Sequence, residues 1–188
     1  MIFAIAISIF CTLGSPDETM QVAIQPLGAV PAKSIAAVKQ GLVRTYGIEV
    51  SILKPVALPK EAFHAPRNRY RAEKLLTFLG ETPGSYAKVL GITARDISTT
   101  KDGHKDWGLF GLGQMPGNAC VLSSFRLGRK GPKTRDQRLT EVANHELGHT
   151  FGLDHCSTSR CVMADAKGSI KTVDISTGNL CGKCKDKL

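Results

Sequence analysis

No glutamate follows Glu146, no lysine or arginine precedes Lys33, and no tyrosine follows Tyr86. The first absence means that a metal site completed beyond residue 146 must draw on His, Cys or Asp. The second deprives the apolar opening of the chain of the positive flank that an export signal carries. The third leaves no phenol in the C-terminal half to assist chemistry there. No apolar run reaches the ~20 residues that a membrane-spanning helix needs. No segment repeats and none is of low complexity, which excludes solenoid and fibrous architectures.

What is present fits one ordinary globular domain. The chain has 188 residues, 42% hydrophobic and 22% charged, long enough for a single core. The net charge of +9 gathers at residues 60–74, 126–138 and 183–187. Such clusters most often form a solvated basic surface, so nucleic acid is not the expected partner.

The chemistry concentrates between His145 and Cys184. The segment opens with His145, Glu146 and His149, then Gly152, His155 and Cys156, followed by Cys161, Met163, Cys181 and Cys184. Two histidines four apart on a helix share one face and can reach one metal ion. Glu146 lies on a neighbouring line of that helix, able to reach a water on the metal without ligating it. Gly152 lets the chain leave the helix in a left-handed turn, and His155 returns as third ligand. Three neutral imidazoles on zinc leave a fourth position open, the arrangement of a catalytic site. A class of zinc peptidase that takes a downstream Glu as third ligand is excluded by the lack of one.

Read as HExxHxxGxxHC, four residues (157–160), CxM, seventeen residues (164–180), CxxC, the segment resembles the archaemetzincin (archaelysin) family of metzincin zinc metallopeptidases at every spacing. The resemblance implies a metzincin-like fold of α/β (α+β) class. It would be a mixed twisted sheet with an active-site helix and a small loop-rich C-terminal subdomain. It implies two Zn2+ per chain: a catalytic one on His145, His149 and His155, and a structural one on Cys156, Cys161, Cys181 and Cys184. It also implies a Met-turn at Met163. The expected activity is hydrolysis of peptide bonds in peptide or protein substrates, with Glu146 as general base. The alternative is a non-catalytic zinc-binding module that contacts nucleic acid or protein. Cys156–Cys161 and Cys181–Cys184 also admit a disulfide reading in an exported protein, although a CxxC with a second close pair fits zinc better.

Residues 1–19 are set apart as an apolar leader. They read as a signal core ending near Thr12 and Gly14, or as a lipoprotein site at Cys11, which bulky Phe10 disfavours. The functional chain would otherwise begin at Met20. A cytoplasmic location is expected because thiolates need a reducing compartment. Export through an atypical signal is the alternative, and only then would a membrane be involved. A monomer is expected.

Residues 20–155 are expected to form the catalytic subdomain and 156–188 the C-terminal one. Strands are expected at 21–26, 48–56 and 87–97, and helices at 32–46 and 68–79. Thr134 and Gln137 form a capping box for the metal helix. By the resemblance, 119–126 is the strand that borders the cleft; a plain interior strand is the other reading. Asp154 is a candidate support for a histidine ligand. His64 and His104 read as surface residues, Cys120 as a buried thiol, and Trp107 and Phe110 as core or cleft wall.

Overall fold

The structure, a computed structural model, describes residues 20–82 and 84–188. The readings of residues 1–19 lie outside the described residues. β1 (Gln21–Leu27) leads into α1 (Ala32–Tyr46) and β2 (Glu49–Ile52). The short β3 (Phe63–His64), β4 (Arg69–Arg71) and α2 (Ala72–Gly80) follow. Next come β5 (Lys88–Thr93), β6 (Ile97–Lys101), β7 (His104–Leu109), β8 (Gly111–Gly113) and β9 (Ala119–Ser123). Helices α3 (Arg135–Thr150), α4 (Ile170–Ile175) and α5 (Gly182–Lys185) complete the chain.

Five strands form one sheet in the order β2-β1-β5-β9-β8. The first four are parallel, and β8 runs antiparallel to β9. A second sheet, β3-β4-β6-β7, stands beside it. Alternation along the parallel strands sends side chains to opposite faces. Ile24, Leu90 and Leu122 pack with Val38 and Leu42 of α1 and Leu139 and Leu147 of α3. Ala23, Val89 and Val121 pack with Leu75 and Leu79 of α2 on the other side. Each fully buried Leu or Ile contributes about 1.5–3 kcal/mol, so this double-sided core holds α3 rigidly. Among the described residues no helix is long and apolar enough to cross a membrane.

Three expectations change. Residues 119–126 do not border the cleft. All five residues of β9 are buried, and it is paired on both edges. Pairing with β5 and β8 makes it an interior strand, and glycine-rich β8 takes the edge. The expected helix at 68–79 begins only at Ala72. Arg69–Arg71 instead pair with β6, helped by the Tyr70 amide donating to the Asp96 carbonyl at 2.9 Å. The expected strand 87–97 breaks after Thr93, where the chain leaves the first sheet, and Ile97 begins a strand of the second.

Candidate metal centre

Helix α3 starts where the capping box predicts. The Thr134 hydroxyl accepts from the Gln137 amide at 3.2 Å, and the Gln137 side chain accepts from the Thr134 amide at 2.8 Å. Arg138 is fully buried and makes a two-pronged contact with Asp174 at 2.7 and 2.8 Å. It also donates to the carbonyls of Leu127 and Arg129. The helix is thereby tied to the segment that follows the site. Asn144 adds two ties, donating to Thr45 of α1 and to the Gly178 carbonyl at 2.9 Å each.

His145 and His149 lie one turn apart with their Nε2 atoms 3.0 Å from each other. Gly152, at φ 87°, turns the chain back in a conformation that costs a side chain dearly. His155 then closes the triplet, its ring centroid 5.4 Å from that of His145 and 5.0 Å from that of His149. One ligand atom from each of the three lies within 4.8 Å of the others. The Nδ1 atoms of His145 and His149 face the carbonyls of Val162 (2.8 Å) and Leu153 (2.7 Å). A carbonyl only accepts, so each Nδ1 carries the proton and each Nε2 lone pair is free to ligate. Burial pushes the His145 imidazole down to about 4, helped by neighbouring His149, and burial lowers His149 too. Both are neutral near pH 7, the form that binds metal. His155 is more open, and its Nδ1 lies 3.8 Å from Asp165.

Glu146 is buried on the same helix, and burial pushes its carboxyl up to about 8 against the pull of the Gly113 amide. Strand β8 lies flat on it. A Cβ at Gly111 would stand 2.6 Å from the Glu146 Cγ, and one at Gly113 2.6 Å from the Glu146 carbonyl oxygen. Only glycine permits this approach. Among the described residues the outer edge of β8 is unpaired, and it faces an open cleft. The histidine triplet, Glu146, Trp107 and Phe110 line that cleft.

Behind the histidines, Met163 is fully buried, and a Cβ at Gly148 would lie 2.5 Å from its sulfur. The Tyr46 hydroxyl reaches the same place and donates to the Asn144 carbonyl.

The four C-terminal cysteines form a second cluster, with Sγ atoms all within 4.8 Å of one another. Cys156–Cys181 and Cys161–Cys184 are each 3.8 Å apart. A disulfide needs about 2.05 Å, whereas four sulfurs about 2.3 Å from a tetrahedral zinc would sit ~3.8 Å apart. The close contacts also cross the sequence pairs that the disulfide reading would join. Amides of Thr158 and Cys181 donate to Cys156 and Cys161, and the Cys184 amide holds the Cys181 thiol below its ordinary value. The donor sets of both clusters therefore suit zinc.

Cys120 is a buried free thiol, and His64 and His104 belong to neither cluster. Asp154 is exposed; the acceptors found on the ligands are the two carbonyls, with Asp165 beside His155. Backbone carbonyls carry no sequence signal. Asp165, two residues past Met163, and the paired glycines 111 and 113 are the sequence signals for the remaining contacts.

A match to Peptidase family M54 spans residues 33–188. The archaemetzincin of Haloquadratum walsbyi is 35% identical over 178 residues, covering 90% of this chain and 99% of its own length. That of Methanopyrus kandleri is 36% identical over 141 residues, 74% of this chain and 78% of its own. Its crystal structure superposes with a TM-score of 0.79 at 30% identity, covering 93% of this chain and 96% of the other. The Archaeoglobus fulgidus archaemetzincin, solved in complex with malonate, gives 0.77 at 29% identity over 90% of this chain and 100% of the other.

Proposed function

We propose, for a chain that belongs to peptidase family M54, the archaemetzincins, and is a zinc metallopeptidase of metzincin-like fold acting on peptide or protein substrates, that His145, His149 and His155 hold its catalytic zinc. Glu146 serves as general base, and Cys156, Cys161, Cys181 and Cys184 hold a second, structural zinc. The observation that carries this is the convergence of three imidazoles with two Nδ1 atoms already engaged, beside a buried carboxyl. Residues 20–155 act as the catalytic subdomain. Residues 156–188 act as a C-terminal one that carries Met163 as the hydrophobic floor of the site.

A zinc ion bound there supplies a Lewis acid that polarises the scissile carbonyl and makes water a better nucleophile near neutral pH. The chain does the rest. The free amides and carbonyls of β8 pair with the extended substrate, which runs antiparallel to that strand. Glu146 takes a proton from the attacking water and returns it to the leaving amine nitrogen. Val162 and Leu153 hold two imidazoles in the ligating tautomer through their carbonyls. All seven ligands come from one chain, which supports an active monomer. Thiols kept in reduced form fit the cytoplasm.

Elemental analysis of reduced, fully loaded protein tests the metal assignment. Two zinc ions per chain are expected, falling to one in His149→Ala. One zinc in the wild type, with the four C-terminal thiols oxidised, removes the structural site and leaves the catalytic one.

A further inference from the structure

Two of the basic clusters noted in the sequence meet in the fold. Arg67 and Arg69 from the first, Arg126, Arg129 and Arg135 from the second, and Arg95 between β5 and β6 surround an open hollow. Its wall contains one carboxylate, Asp96, and that group is already engaged. It contacts Arg69 at 2.8 Å and grips Arg126 through both oxygens at 2.7 and 2.8 Å. Among the described residues Arg95, Arg129 and Arg135 have no carboxylate within 4.0 Å. Like charges gathered in a concavity repel one another and focus a positive potential into it. An anionic ligand relieves that repulsion.

The hollow lies at one end of the cleft. The Arg126 guanidinium crosses Gly108, where a Cβ would stand 2.3 Å from it, and Gly108 lines the cleft. Because β8 and β9 are antiparallel with Gly111 opposite Leu122, the exit of β9 toward Phe125 and Arg126 stands beside the entrance of β8. A peptide antiparallel to β8 travels from Gly113 toward Gly111. Its residues after the scissile bond therefore head past Phe110 and Gly108 to the arginines.

We infer that the arginine hollow binds an acidic segment on the C-terminal side of the cleaved bond, making this a peptidase that selects substrates with Asp or Glu clustered there. The inference rests on the cleft orientation given under Proposed function. Guanidinium forks suit carboxylates in pairs. Single-stranded nucleic acid needs a succession of stacking surfaces, and among the residues lining the hollow Phe125 is the one aromatic.

The test compares peptides identical around the cleaved bond, carrying three acidic residues, their amide counterparts or three lysines downstream, and a fourth set with the acids upstream. With zinc-loaded full-length protein, downstream acids should raise kcat/KM about tenfold over the amides, through KM, and about 0.5 M salt should erase most of the gain. In Arg95→Gln/Arg129→Gln/Arg135→Gln the acid-to-amide ratio should fall to about one. Reversal of the three to Glu should make the lysine peptide the better substrate. The three side chains are exposed, and an unchanged melting temperature checks that the variants fold. Cleavage with no charge preference, or equal gain from upstream acids, overturns the inference while leaving the peptidase roles intact. Failure to cleave any peptide strikes those roles instead. Binding then decides the hollow: fluorescence polarisation of the acidic peptide on Glu146→Gln protein should weaken about tenfold in the triple variant. A single-stranded oligonucleotide that binds tighter than the peptide and is lost in the same variant would replace the acidic peptide with nucleic acid.

Discussion

The histidine triplet and the cysteine quartet adjoin at His155 and Cys156, yet the chain positions them in opposite ways. Two of the three histidines stand on a sixteen-residue helix with its own cap, packed into the larger apolar core. Their rings are oriented by protein carbonyls alone. The cysteines stand on loops and the four-residue α5. Their apolar company is small: Leu153, Val162, Met163 and Leu180, with Cys161 and Cys184 as members of the cluster themselves. Where apolar burial is ample, the fold places the ligands and the metal adds chemistry. Where it is scarce, the ligands are the core, and metal supplies cohesion that the apolar area does not. The two regions are nonetheless joined. The Cys156 amide donates to the Met163 carbonyl at 2.8 Å, and the Val162 carbonyl orients His145.

The sharpest way to isolate the histidine side is Glu146→Gln, which keeps shape and ligands. Peptide turnover should fall by about 10²–10⁴-fold with zinc content unchanged by elemental analysis. Wild-type turnover would falsify the role of this carboxyl. Next in size is Cys181→Ser, which removes a ligand from the cohesive cluster. It should destabilise the zinc-loaded protein by about 4 kcal/mol or more in denaturant and loosen Val162 and Met163. Mild chelation should do the reverse, abolishing activity while circular dichroism stays native. Unfolding that precedes the loss of activity would break the comparison.

A smaller effect tests the joint between the regions. Gly148→Ala puts a methyl 2.5 Å from the Met163 sulfur. It should cost about 1–3 kcal/mol and weaken zinc uptake in a competitive titration. The pH dependence of metal-free protein tests the buried carboxyl itself. Folded Glu146 keeps its proton up to about 8, whereas the unfolded group loses it near 4.5. The unfolded state therefore sheds a proton first, and stability should decline as pH rises through that window. Glu146→Gln should flatten the decline. An identical slope in the variant would assign it to another group.

The candidate site was legible in the sequence because its signals are local. A four-residue spacing places two imidazoles on one helix face whatever surrounds them. Gly152 permits its turn by its own lack of a Cβ, and Thr134 and Gln137 cap by contacts three residues apart. Those determinants, with the double-sided apolar pattern of β1 and β5, specify the α/β class and the histidine and cysteine groupings. Long-range pairing decided the rest. Residues 119–126 carry the same apolar pattern whether a strand is interior or edge, and only the arrival of β5 and β8 on its two sides settles which. The glycines of β8 make sense only once α3 lies beneath them. The arginines of two separate runs form one hollow only after loops and strand ends bring them together. Charge, unlike helical periodicity, has no preferred spacing in sequence, so its convergence belongs to the tertiary structure alone.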